Sequence, residues 1–483
     1  MPSSRAPRGP SKSCGNCRLV KRRRPHCGQC IRMHEECPGY RDEWELVFRD
    51  QTSHTIKRSQ EKDAKRNRKS TSPPIRPPTP ELNEVGVNYF LCSFVNGGGQ
   101  SSRGYLNYIP SVYFAEGEHP ILTTSMAAVG LVALANSTRQ PWLAVRARAK
   151  YADAISRVNA ALASPVESVK DSTLMAVISL GVFEHLSEHK SWVRHVRGAV
   201  AVVAARGKKQ FSSPSSLLMF NQVRADMIIA SINFWLPFPK EILELQEEAA
   251  KYMNTSGAFW QLGVLGARCI DILGRVRTNT VNKDWEFLEE AIVLEREYIN
   301  VLDALAMQEP YYTTILTSVV NPEVVYNNRA DRYNDFWSIR VWNNGRCCYM
   351  IVAEIKYHYL LQILRSDLAP PVRQKIQLKF QETVQALRKT SHDILATVPQ
   401  ALEFLSTGSE MHPSVDLSFR GKPNVSGGYI LAWGLYMAGK CLVIQDDTRQ
   451  WVVQCLQYIG NNMGVLLALE IAENIEKGPG WGR

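Results

Sequence analysis

Residues Ser13–Trp44 read SCGNCRLVKRRRPHCGQCIRMHEECPGYRDEW. Two CxxC pairs, Cys14/Cys17 and Cys27/Cys30, stand nine residues apart, and Cys37 follows after a further six. A thiolate pair at this spacing chelates zinc because the intervening turn aims both sulfurs at one tetrahedral centre. The segment therefore predicts a small module folded around Zn2+ by Cys14, Cys17, Cys27, Cys30 and Cys37. Between the pairs, Arg18, Lys21, Arg22, Arg23 and Arg24 crowd onto a helix beginning at Cys17. Pro25 ends that helix by pushing Arg24 out of helical geometry. So dense a positive face predicts contact with double-stranded DNA. A nuclear-import signal is the other reading of Lys21–Arg24, and one stretch can serve both.

The rest of the chain sharpens this picture by contrast. Of the 483 residues, 1–85 hold 19 Lys/Arg against 10 Asp/Glu, while the remaining 398 hold 38 against 36. The excess charge of +11 thus sits almost wholly in the first sixth of the chain. A basic arm on a near-neutral body points to a polyanionic partner met by the arm, while charge alone favours a disordered, solvated basic tail. The remaining six of the 11 cysteines are scattered. Met1–Pro10 is polar and basic, without the apolar stretch of a secretion signal. Ile121–Ala135, interrupted by Thr123, Thr124 and Ser125, reads as too short and polar to cross a bilayer. The expectation is a soluble intracellular chain with no membrane partner, in a reducing compartment where clustered cysteines bind metal before they pair.

Thr71–Pro80 (TSPPIRPPTP) has five prolines in ten positions and excludes helix and central strand. Beyond it the apolar period turns helical. The pattern predicts helices over Leu122–Ala135, Trp142–Leu162, Ser168–His185, Trp192–Arg206, Ser216–Asn233 and Lys240–Lys251. It continues over Phe259–Val276, Lys283–Ala306, Trp337–Leu364, Val372–Ala396, Tyr429–Ile444 and Trp451–Ile475. Breakers at Pro165, Gly207, Pro214, Pro237, Pro239, Gly274, Pro310, Pro370 and Pro371 mark their ends. The fold class is a small zinc-stabilised N-terminal module plus a large all-α domain of packed antiparallel helices. The divisions fall at 1–48 for the module, 49–82 for a basic, proline-rich disordered linker and 83–483 for the helical domain.

The cysteine segment resembles the fungal zinc binuclear-cluster (Zn(2)-C6 type) transcription factors. It shares CGNC, the basic CRLVKRR helix, Pro25 before Cys27, CGQC and the closing Cys37-Pro38-Gly39-Tyr40. It departs from them at position 24, where the third of six cysteines is due and Arg24 stands in a shortened loop. A small deletion is the simplest account. Two four-coordinate zinc ions need eight ligand places, and five cysteines with two bridging fill seven. The resemblance makes Cys14 and Cys27 the bridges, completing one site with Cys30 and Cys37 and leaving the other with Cys14, Cys17 and Cys27. Water, His26 or His34 fills the last place, or the module holds one zinc on four thiolates. The resemblance also implies that the basic helix enters the major groove, with Lys21 on the guanine edges of a CGG-type triplet. Arg18, Arg22 and Arg23 then bond phosphates, which position without specifying.

In the body, Trp192–Gly207 (WVRHVRGAVAVVAARG), Gln222–Ile232 and Met126–Ala135 resemble the helical regulatory domain of the same family, over roughly residues 85–480. That likeness implies no catalytic residues. His185-Leu186-Ser187-Glu188-His189 matches the HxxEH zinc-peptidase signature, but lies at a helix end with no evident third ligand and reads as an exposed connection. Cys347-Cys348 read as core thiols, Asn96–Gly99 as a flexible turn, and the eleven tryptophans as mostly core. The resulting expectation is a nuclear, zinc-dependent, sequence-specific regulator of RNA polymerase II transcription, not an enzyme. It meets DNA and the transcription machinery as a monomer or as a homodimer through the helical body. The rival reading is a cluster-defective helical interaction protein.

Overall fold

Prolines set the starting points of several long helices. Pro120, Pro141, Pro214 and Pro370 each stand in a first turn, where a missing N–H costs nothing and the ring pre-sets φ. The computed structural model describes residues 28–34, 36, 57–58, 80–95, 106–116, 119–187, 191–278, 284–316, 324–404 and 425–480. The chain divides into two units, Met1–Thr79 and Pro80–Arg483. In the first, a short helix, α1, spans Gly28–Arg32.

The second unit is built of helices. They are α2 (Leu82–Phe90), α3 (Ile109–Glu116), α4 (Pro120–Thr138), α5 (Pro141–Leu162), α6 (Asp171–Leu186), α7 (Trp192–Arg206), α8 (Pro214–Phe234) and α9 (Lys240–Ala249). There follow α10 (Ala258–Thr278), α11 (Asp284–Gln308), α12 (Phe336–Leu364), α13 (Pro370–Leu395), α14 (Val398–Ala401), α15 (Val425–Lys440), α16 (Asp446–Tyr458) and α17 (Leu466–Glu476). Neighbours in sequence pack side by side, α4 on α5, α6 on α7, α11 on α12 and α12 on α13, around one continuous apolar core.

Helix α4 reaches 19 residues and is long and apolar enough by composition to cross a membrane, which corrects the length argument made from Ile121–Ala135. It is a core element: α2, α5 and α6 pack against it. Its interrupting hydroxyls are satisfied within the helix, Thr123 Oγ1 donating to His119 O at 3.1 Å and Ser125 Oγ to Ile121 O at 2.9 Å. Gly130 and Gly86 let α4 and α2 meet backbone to backbone, since a Cβ on Gly130 would fall inside the Gly86 carbonyl. Helix α6 is buried on nearly every side, as its all-round apolar sequence requires.

The mostly helical architecture agrees with a large all-α domain; one short addition is the antiparallel pair of Tyr312–Ile315 (β1) and Arg329–Arg332 (β2), in register Tyr312↔Arg332. Thr313 Oγ1 donates to Asp331 Oδ1 across the ladder at 2.8 Å. Some boundaries are corrected. The run Trp451–Ile475 is two helices: a π-turn at Ile459–Met463 leads to Gly464, whose φ of +77° reverses the chain before α17. Gly274 does not break α10, because a helix interior tolerates a glycine where no packing demands more. Of the nine described tryptophans, Trp260 and Trp342 are buried, Trp337, Trp433 and Trp451 pack partly buried against the main core and Trp192 against a smaller one, whereas Trp142 and Trp285 face outward. At the end of α4, Asn136 Nδ2 donates to Leu186 O at 2.5 Å and to Gly464 O at 2.8 Å, tying three chain ends together.

Candidate functional site

The cysteine segment comes first because it carries the chemistry read from the sequence. Cys30 lies on α1 and is 3% exposed, while Ile31 and Met33 beside it are largely exposed. Cys14, Cys17, Cys27 and Cys37, and the basic residues Arg18, Lys21, Arg22, Arg23 and Arg24, lie outside the described residues. The donor set is thiol only, the soft chemistry that suits zinc. Lys57 and Arg58 are helical and exposed. Asn96–Gly99 also lies outside the described residues.

In the second unit, the residues resembling a regulatory domain converge on one polar knot. Helix α5 supplies Tyr151, α6 supplies Glu184 and α7 supplies His195. Tyr151 Oη donates to Glu184 Oε1 and stands 3.0 Å from His195 Nε2. His195 Nε2 is 3.5 Å from Glu184 Oε1, and the Ser191 amide donates to Glu184 Oε2 at 2.8 Å. Burial alone raises the Glu184 carboxyl, but the bonds from His195, Tyr151 and Ser191 outweigh it and hold it at about 2. The Tyr151 hydroxyl is raised by burial and by the carboxylate beside it. The knot locks three helices into one register, because a buried carboxylate this well satisfied tolerates no slippage of its donors. Its ring neighbours reinforce it, Tyr151 stacking on Phe183 with centroids 4.1 Å apart.

The ends of α7 are fixed as well. Arg206 pairs with Asp171 at the start of α6 and donates to Ser216 Oγ at 2.8 Å, while Ser215 Oγ donates to Asp171 Oδ2 at 2.7 Å. The Trp-His-Arg-Gly pattern of Trp192–Gly207 is therefore architectural: His195 enters the knot and Arg206 joins three helix ends.

His185, first residue of the HxxEH match, is not on an exposed connection. It is drawn inward, with Nδ1 3.1 Å from Tyr429 Oη and its ring against Trp192. Desolvation pushes its imidazole down to about 3, so it is neutral. Glu188 and His189 lie outside the described residues. Among the described residues no group of three or more His, Cys, Asp or Glu is placed to hold a metal. Cys347 and Cys348 are both buried in α12, and burial pushes both thiols up.

Tyr151 and Glu184 were not legible as a pair. The one signal was a lone carboxylate, Glu184, within the apolar run of α6. No curated protein matches the chain, and no solved structure matches it. Residues 100–226, which carry Tyr151, Glu184, His195 and Arg206, match the model of the fungal specific transcription factor domain, and that match supports a fungal transcription factor, a transcription regulator.

Proposed function

We propose that the chain is a nuclear, zinc-dependent, sequence-specific DNA-binding regulator of RNA polymerase II transcription. The observation that carries this reading is the joining of two features in one chain. Two CxxC pairs and Cys37 accompany an Arg/Lys-rich stretch, and the same chain continues into a segment matching the fungal specific transcription factor domain. Cys14, Cys17, Cys27, Cys30 and Cys37 hold Zn2+, two ions where a substitute ligand completes the cluster and one otherwise. Zinc supplies the folding free energy that so small a module lacks, roughly 10–16 kcal/mol in comparable domains. Arg18, Arg22, Arg23 and Arg24 neutralise phosphates, and Lys21 reads a CGG-type triplet in the major groove. The helical unit is non-catalytic and acts on the transcription machinery, as a monomer or as a homodimer through its own surface.

Arg24 in place of the third cysteine favours a second reading, in which the cluster is incomplete and the helical unit works as an interaction protein without specific DNA binding. Metal content and site selection separate the two. Two zinc ions per purified chain, with enrichment of CGG-type duplexes from a random pool, support the first. One ion or none, with only salt-sensitive retention of any duplex, overturns it.

A further inference from the structure

Arg224 lies on α8 among apolar residues and is 2% exposed. Its Nη1 donates to Gln246 Oε1 at 2.8 Å, and its guanidinium sits over the Trp260 ring, 4.4 Å from the centroid. Nε and Nη2 find no acceptor, and no carboxylate pairs with it, among the described residues. Of the other buried cations, Lys356 is paired with Glu295 at 2.6 Å, while Arg346 and Lys440 also lack a carboxylate but each reaches two oxygens: Arg346 Nη1 donates to Tyr333 Oη at 2.8 Å and Asn343 Oδ1 at 3.2 Å, and Lys440 Nζ to Asn474 O at 3.2 Å and Gly478 O at 2.6 Å. Arg224 reaches one. A buried charge without a counter-ion is costly, and the cost is greater where few hydrogen-bond acceptors reach it. Burial lowers the guanidinium to about 9, which still leaves it protonated at neutral pH.

The cation borders an open-mouthed cavity between α8, α10, α12 and α15, with about 50 Å3 of room for the centres of water-sized spheres. Phe259, Leu262, Ile228 and Trp433 give it apolar and aromatic walls, the make-up of a small-molecule site. Two further polar groups line it unused. Among the described residues Asn221, 2% exposed, has a buried Oδ1 with no hydrogen-bond partner, and the Asn344 side chain makes no hydrogen bond. Gly263 packs against the guanidinium: a Cβ at position 263 would lie 2.6 Å from Arg224 Nε and closer still to Cζ, so a side chain there would displace the guanidinium from its present place.

We propose that this cavity binds a small organic carboxylate with an apolar body, its carboxylate on Arg224 and a donor group on Asn221 Oδ1. The apolar body lies between Phe259 and Trp433, and the ligand's charge replaces the missing counter-ion. The site belongs wholly to the unit Pro80–Arg483 and stands whether or not the chain binds zinc or DNA.

The test uses the purified full chain with indole-3-acetate, 4-phenylbutyrate and octanoate, each beside its methyl ester, followed by calorimetry and by tryptophan fluorescence. At least one acid binds, and its ester binds at least about tenfold more weakly because Arg224 is left unpaired. Arg224→Met removes that difference. The proposal is overturned if acids and esters bind alike, if no acid binds at millimolar concentration, or if Arg224→Met leaves acid affinity unchanged. Should that variant fail to fold, the acid-to-ester ratio on the unaltered chain decides.

Discussion

Gly130 of α4 rests against Gly86 of α2 so closely that neither position has room for a methyl group; the Cβ of an alanine at 86 would stand 2.6 Å from the Ala127 carbonyl oxygen. Backbone cannot swing aside as a side chain can. Gly130→Ala should therefore destabilise by about 3 kcal/mol, the upper end of overpacking costs. Gly274→Ala is the contrast: its Cβ would meet open space inside α10, and helix propensity predicts a gain of about 0.5–1 kcal/mol. Urea midpoints of the two variants check both signs.

The polar knot predicts an acid-side loss of stability. Glu184 is held at about 2 when folded, against about 4.3 in an unfolded chain. Its contribution is complete above the unfolded value and is lost as pH falls toward 2. Glu184→Gln should flatten the decline in stability between pH 5 and pH 3. Tyr151→Phe, which removes one donor, should cost about 1–2 kcal/mol at pH 7. An unchanged acid limb in Glu184→Gln would show that other carboxylates govern it.

Glu354 predicts the opposite slope. Burial in α12 raises its carboxyl to about 8, with a bond from the Leu442 backbone acting against that rise, and Oε1 has no hydrogen-bond partner among the described residues. Folding takes up a proton here, so this group's effect is most favourable below about pH 4.3 and worsens until about pH 8. Glu354→Gln should gain on the parent chain as pH rises across that window, by an amount on the order of a few kcal/mol at its top. Chemical denaturation at pH 5 and pH 8 measures the difference. A gap that stays constant between the two would remove the titration from the explanation.

For the proposed DNA contact, salt is the direct probe. About five phosphates neutralised by the basic segment that holds Arg18, Lys21, Arg22, Arg23 and Arg24 predict a slope of log affinity against log salt near −4.5. Arg22→Ala should reduce that slope by about one and weaken all duplexes alike, whereas Lys21→Ala should erase the preference for a CGG-type triplet. Binding isotherms at several salt concentrations on matched and mismatched duplexes distinguish these effects.

Helices were legible where periodicity and punctuation agreed. Trp192–Arg206 has the bounds its sequence indicated, and the helix read from Lys240 begins there. Features made by distant partners were not legible. The pairing of β1 with β2 depends on residues brought together across a loop, and the break after Tyr458 depends on the left-handed backbone at Gly464. His195 stood out as part of a motif, yet its role needed Tyr151 and Glu184 from two other helices. Arg224 stands in the sequence as one charged residue within Gln222–Ile232; nothing local shows that Gly263 and Trp260 enclose it. The cysteine ladder is the reverse case, since its meaning lies in spacing along one short stretch.

The clasp made by Asn136 has a practical corollary for anyone cutting this molecule into pieces. Its amide grips Leu186 and, 328 positions away, Gly464. A fragment trimmed to the recognisable stretch 100–226 would discard α17, which packs on α6, and leave one of the two Asn136 acceptors behind. The borders of likeness and the borders of autonomous folding differ here, so baits and fusion proteins should run through at least Glu476, the last residue of α17.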